Sequence, residues 1–399
     1  MKIKIARRAA ALGASATVAM TSRAKAMTAA GVDLVAMSAG EPDFPAPDFV
    51  VAATVAALAA GHTTYAPVGG VPALRRAVAA RFSREYGVPF TADDVIVTVG
   101  GKEALYDLFQ VLVDPGDEVL VPAPYWVSYP AQVALAGGVP VIVPCDAARG
   151  LALDLDALAA AVTPRTVGVI INSPNNPSGA VYDAASLAAL ADLAERHDLW
   201  IVSDDIYSAI RYDGAPFTSV LHVRPDLRER VFIVHGVAKT WGMTGFRIGF
   251  LVAPRAILER CTALQSQTIT SATTFAQYGA LAAIAGDDAF LATWLAAYDD
   301  RRKRVYAVLG ALPGVVCPLP GGAFYAFPDV RRLIGRRHAG EVITDDVHLA
   351  EFLLEHALVA LVPGSAFGTP GFLRLSYACA TDRLVLGLER LSAFVHALT

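Results

Sequence analysis

The chain has 399 residues, 55% of them hydrophobic and 18% charged, the proportions of a soluble globular protein with a large core divided into two domains or one with a satellite. Its 33 Lys+Arg against 37 Asp+Glu give a formal net charge of −4. No basic block or basic helix stands out, which excludes a nucleic-acid surface, and no apolar run reaches the roughly 20 residues needed to cross a bilayer.

The N-terminal "MKIKIARRAAALGASATVAM" is basic and ends in small residues. Its alanine-rich stretch is broken by Gly, Ser and Thr, unlike the continuous apolar segment of a secretory signal, and reads as an arm plus the start of a helix. From about residue 94, short β-branched runs alternate with helical patterns. The expected strands are "VIVTV" (95–99), "EVLVP" (118–122), "VPVIVP" (139–144), "VGVIIN" (167–172), "LWIVSD" (199–204), "VFIVH" (231–235) and "IGFLVA" (248–253). Helices such as "KEALYDLFQVLV" and "AASLAALADLAERHD" fit between them. Strands apolar on both faces and joined by helices predict a mostly parallel seven-stranded sheet covered on both sides. The last connection, "GVAKTWGMTGFR", is too irregular for a clear helix and leaves room for an antiparallel strand.

A long helical region (roughly 254–310) precedes a change of character. "LPGVVCPLPGGAFYAFP" brings a Pro/Gly cluster and a strand, "ALVALVPGSAFG" and "FLRLSYA" add two more, and "TDRLVLGLERLSAFVHAL" closes with an amphipathic helix. The fold class is therefore α/β, with a smaller α/β domain built from both chain ends. Residues 1–43 read as an arm and part of that small domain, 44–295 as the large domain, and 296–399 as the C-terminal small domain. The four cysteines (Cys145, Cys261, Cys317, Cys379) lie far apart without metal-ligand spacing, so reduced thiols in a cytoplasmic protein, and no metal, are expected.

Ligands of open parallel sheets collect at the carboxyl ends of the strands. After "VIVTV" come Gly100, Gly101 and Lys102 leading into a helix, a turn whose free N–H groups and dipole suit an anion. It lacks the spacing of a Walker loop or a dinucleotide fingerprint. After "EVLVP" comes "APYWVSYP" with Trp126; after "VGVIIN" comes "SPNNPSG" with Asn175 and Asn176. After "LWIVS" come Asp204, Asp205 and Tyr207, and after "VFIVH" comes Lys239, followed eight positions later by Arg247. Each has a bland reading: turn asparagines, a helix-capping aspartate, a core tryptophan, a lysine reaching solvent. Their coincidence at one sheet edge is the signal.

One cofactor uses the whole set. Pyridoxal phosphate offers a phosphate, a flat ring, a phenolic oxygen, a ring nitrogen that needs an acid, and an aldehyde that needs a lysine amine. "SAGEPDF", "TYAPVGGVPALR", "SPNNPSG", "VSDDIY", "AKTWGMTGFRIG" and "FLRLSYA" resemble, in order, the motifs of the class I aminotransferases, fold type I, closest to the bacterial aspartate aminotransferase subgroup.

The resemblance implies roles. Lys239 would form a Schiff base with the cofactor and shuttle the substrate proton. Asp204 would pair with the ring nitrogen, Tyr207 and Asn176 would bond the phenolic oxygen, and Trp126 would lie against the ring. Arg247 and the Gly101/Lys102 backbone would hold the phosphate, assisted by Tyr65 from the partner of a homodimer. Arg374 would clamp the α-carboxylate with two parallel bonds, a geometry that lysine lacks, with help from Asn176, Trp126 and the Gly40 backbone. Lys102 would also meet the distal carboxylate of aspartate or glutamate, near "SAT" at Ser15–Thr17. The substrates would then be an amino acid and a 2-oxo acid: aspartate with 2-oxoglutarate, and prephenate as an additional acceptor. "PGGAFYAFPDV" and "IYSAIRYDG" depart from the subgroup's wording and keep aromatic or neutral substrates open. Elimination, decarboxylation or oxidation by the same cofactor chemistry is the other enzymatic alternative. A ligand sensor would need an appended DNA-binding domain, for which the 40-odd residues before the first motif are too few.

Overall fold

The computed structural model describes all residues except 1, 2, 11, 14 and 15. Seven strands form one sheet: β1 (Val95–Thr98), β2 (Glu118–Ala123), β3 (Val139–Pro144), β4 (Thr166–Asn172), β5 (Trp200–Asp204), β6 (Val231–Gly236) and β7 (Gly249–Val252). Their order across the sheet is β1-β7-β6-β5-β4-β2-β3. All seven lie where the β-branched runs predict them. Only β7 runs against its neighbours, pairing antiparallel with both β1 and β6. A parallel β7 would need a crossover helix; the irregular stretch 237–248 instead turns the chain straight back.

The two-residue period of a strand sorts these side chains into two cores. Val95, Val97, Val169, Ile171, Ile201, Ile233, Phe250 and Val252 enter one, with the helices Pro72–Tyr86 and Ala184–Arg196. Ile96, Ile170, Val202, Phe232, Val234 and Leu251 enter the other, with Gly101–Leu112 and Arg255–Thr268. Both faces are therefore dry, which is why the strands read as unbroken apolar runs.

A third core gathers the C-terminal part of the chain around three short strands, β8 (Tyr325–Ala326), β9 (Val362–Pro363) and β10 (Leu373–Ser376), in the order β9-β10-β8. The Ala289–Ala311 and Thr381–His396 helices cover it. The N-terminal segment joins here: Val35 and Ala36 pair in parallel with Val359 and Ala360. In residues 38–44, which follow, Asp43 meets the buried Arg301 of the Ala289–Ala311 helix with both carboxylate oxygens at 2.9 Å. Among the described residues no single helix is long and apolar enough to cross a membrane.

The carboxyl edge of the sheet is held open by missing side chains. Gly100 caps the Gly101–Leu112 helix with φ 77°, in the left-handed range that glycine tolerates. A Cβ on Gly249 would lie 2.3 Å from the Gly100 carbonyl carbon and 2.5 Å from the Gly101 nitrogen. Gly249→Ala should therefore force β7 from the helix start and lower stability by about 1–3 kcal/mol in denaturant unfolding. Unchanged stability would mean that these backbones separate freely.

Candidate active site

The carboxyl ends of β4, β5 and β6 and the start of the Gly101–Leu112 helix border a cavity of about 330 Å³. Gly40, Gly101, Lys102, Trp126, Asn176, Asp204, Tyr207, Lys239, Arg247 and Arg374 all line it. Thus ten of the eleven residues to which the resemblance assigns an individual role converge. The eleventh, Tyr65, is 86% exposed and borders a different hollow, with Thr63, Thr64 and residues 271–275. Thr17 reaches the main cavity, and its hydroxyl is buried without a partner among the described residues; Ser15 lies outside them.

Asp204 ends β5 directly across from Asn172 at the end of β4. Asn172 donates to the Asp204 carbonyl at 2.7 Å and accepts from the Asn176 backbone N–H at 2.8 Å. One side chain thereby locks the "SPNNPSG" turn to the neighbouring strand. The Asp204 carboxylate accepts from the Tyr129 hydroxyl at 2.6 Å. Burial pushes its pKa up to about 6; the Tyr129 bond acts in the opposite direction. Asp205 points to the opposite core, where Tyr86 and Ser203 each donate to it at 2.8 Å. Strand alternation separates the two acids. Asn175 also takes the bland role: its carboxamide oxygen accepts from the Ser178 N–H at 3.0 Å and shapes the turn.

Lys239 follows β6 and donates to the Gly40 carbonyl at 2.6 Å. Burial is the largest influence on it, and Arg247 and Arg374 act in the same direction, bringing its pKa down to about 8 despite Glu41 and Asp204. Arg247, where the chain turns into β7, adopts a left-handed φ of 56°, an uncommon conformation for a non-glycine residue. Its guanidinium donates to the Thr244 carbonyl at 3.0 Å. Lys102 sits over the Trp126 ring, 4.9 Å from its centroid, and burial followed by Arg247 lowers its pKa.

Arg374, on β10, is 1% exposed. It donates to the Asn176 carboxamide oxygen at 3.0 Å and the Ser38 carbonyl at 2.7 Å, while its Nε has no partner. The partners of Lys239, Arg247 and Arg374 are thus carbonyl and amide oxygens, not carboxylates. Such a set of cations is built to receive anions from outside the chain.

Comparison with known proteins agrees. Residues 32–388 match the family model described as "Aminotransferase class I and II". This chain belongs to the class I and II aminotransferase family. It is 44% identical over 395 residues to an aspartate aminotransferase of Geobacillus stearothermophilus, covering 99% of this chain and 100% of that one. It is also 44% identical over 387 residues to an aspartate/prephenate aminotransferase of Cereibacter sphaeroides, covering 96% of this chain and 97% of that one. Among solved structures, an aspartate aminotransferase from Rhizobium meliloti superposes with a TM-score of 0.96 at 38% identity, covering all of both chains. One from Thermus thermophilus with maleate gives 0.92 at 43%, covering 98% of this chain and 100% of that one. The fold of this aminotransferase is accordingly that of the fold type I enzymes.

Sequence reading missed Tyr129 and Asn172 as individual contributors, whereas Thr17, named with the "SAT" stretch, does reach the cavity. Tyr129 stood inside the quoted aromatic cluster, where nothing local ties it to an acid 75 positions away. The Tyr129→Phe aminotransferase should show the acid limb of its kcat/KM profile displaced upward by about one pH unit, because the bond that lowers the Asp204 pKa is gone. An acid limb at the parental pH would separate Tyr129 from the function of Asp204.

Proposed function

We propose that this aminotransferase uses pyridoxal phosphate to move the amino group of aspartate to a 2-oxo acid such as 2-oxoglutarate, as a homodimer in the cytoplasm. One observation carries the substrate: two cations, Lys102 and Arg374, face one cavity from different lobes without a carboxylate partner. A dicarboxylic amino acid satisfies both. Relatives named aspartate aminotransferase, and a similar structure with maleate, itself a dicarboxylate, support the same reading.

The residues present fit the cofactor. A buried acid with a raised pKa suits a ring nitrogen, a helix start free of side chains beside Arg247 suits a phosphate, and a half-buried lysine suits an aldehyde. When bound, pyridoxal phosphate supplies a carbonyl that condenses with the substrate amine and an electron-poor ring that accepts charge from the breaking Cα–H bond. Asp204 would hold the ring nitrogen protonated, Tyr207 and Asn176 would donate to the phenolic oxygen, and Trp126 would lie against the ring. Gly101, Lys102 and Arg247 would hold the phosphate, joined by Tyr65 across the dimer. Arg374 would grip the α-carboxylate with its two terminal nitrogens, beside the Gly40 backbone, in the same cavity as Lys239. With a pKa of about 8, the Lys239 amine is uncharged in about a tenth of molecules at pH 7, so it can lift the proton from Cα and pass it on.

Three supports carry the dimer and location. Tyr65 stands 86% exposed beside its own hollow. Phe49, Val51, Val55 and Leu58 leave an apolar face of the Asp48–Ala59 helix uncovered, an unusual sight on a monomer. The four cysteines are all free, as expected in a reducing compartment.

The cofactor-loaded protein should absorb in the near-ultraviolet to visible range, and aspartate alone should convert that band once, with no turnover until a 2-oxo acid is added. Lys239→Ala should abolish both band and turnover. Turnover by that variant, or continuous turnover of the parent on aspartate alone, contradicts the proposal. Lys102→Ala should lower kcat/KM for aspartate by about tenfold or more while affecting aromatic amino acids less. An equal loss for both classes would assign Lys102 to the phosphate alone.

A further inference from the structure

Tyr325 lies on β8 within "PGGAFYAFPDV", a stretch that the proposed chemistry leaves without a role. It is fully buried and touches three parts of the site at once. Its hydroxyl is 2.8 Å from that of Tyr207. The Arg374 guanidinium stands over its ring, 4.8 Å from the centroid, with Phe367 at 5.0 Å as a second aromatic neighbour. A Cβ on Gly40 would come within 3.1 Å of the Tyr325 hydroxyl, so the 38–44 segment passes directly against it. Strand pairing holds the residue in place, since Tyr325 is registered with Ser376, two positions beyond Arg374.

We propose that Tyr325 is a positioning residue, fixing the Tyr207 hydroxyl with its own hydroxyl and the Arg374 guanidinium with its ring face. The inference rests on the reading of the site given above. Two facing hydroxyls share one proton between them, and the other is free to point elsewhere. Burial raises the pKa of both phenols, so both hydroxyls keep their protons. Either hydroxyl of the pair can donate; in the arrangement proposed Tyr325 donates to the Tyr207 oxygen, which leaves the Tyr207 proton for the cavity that Tyr207 lines. Arg374, with no acid beside it, is kept in plane by aromatic faces instead of by a charge that a substrate carboxylate would have to displace.

Two variants of the cofactor-loaded protein separate the hydroxyl from the ring. The readouts are the pH titration of the cofactor band and the binding of maleate, followed by its effect on that band. Tyr325→Phe keeps the ring and should raise the titration midpoint by about half a unit, because a weaker Tyr207 donor leaves more charge on the phenolic oxygen to hold the proton near Lys239. Its maleate dissociation constant should stay within a factor of about two. Tyr325→Leu should raise the midpoint similarly and weaken maleate by about tenfold. A Tyr325→Phe midpoint equal to that of the parent overturns the proposal, and that variant retains the packed ring even where leucine disturbs the core. Parental maleate affinity in Tyr325→Leu overturns it as well. A parent protein without any pH-dependent band would instead overturn the reading of the site, and this inference with it.

Discussion

Positive charge held out of water without a carboxylate beside it is the constraint around which this fold is organised. Removing a guanidinium or ammonium from water is costly, and side-chain acids are the usual compensation. Around the cavity, the buried Arg374 has an amide, a carbonyl and aromatic faces, and the half-buried Lys239 has the carbonyl of Gly40, while Arg247 stands at the exposed rim on backbone carbonyls. Elsewhere in the chain arginine does find acids, as Arg301 finds Asp43 and Arg302 finds Asp213 and Asp299. The contrast marks the cavity as a place where stability is given up in favour of binding. Small residues at Gly100, Gly101 and Gly249 let backbone donors face the same space.

Much of this was legible in the sequence, for identifiable reasons. A sheet buried on both faces writes itself as uninterrupted β-branched runs, so all seven strands were readable to within a residue or two. Because the ligand edge of such a sheet follows its strands, residues just past each run were the natural candidates, and Lys239, Asp204, Asn176 and Trp126 do meet. Arg374 was harder. It lies on a short strand of the smaller lobe, and only the motif "FLRLSYA" distinguished it from an edge-strand arginine.

What stayed hidden was pairwise. Tyr129 with Asp204, Tyr207 with Tyr325 and Asn176 with Arg374 are separated by 75, 118 and 198 positions. No periodicity links such partners; each becomes visible only when strand order and register are known. The neighbouring acids Asp204 and Asp205 illustrate the reverse case. Their identity as a pair in sequence conceals that one faces Tyr129 and the cavity while the other bonds Tyr86 in the opposite core.

The reversal between β6 and β7 has a corollary. Gly236 and Gly249 are paired across the base of this hairpin, and the twelve residues between them carry both Lys239 and Arg247. Inserting or deleting even one residue would swing one of the two cations away from the other without loosening the strands that pin the ends. The length of this connection is therefore set by the two cations it must present together, not by the turn it has to make.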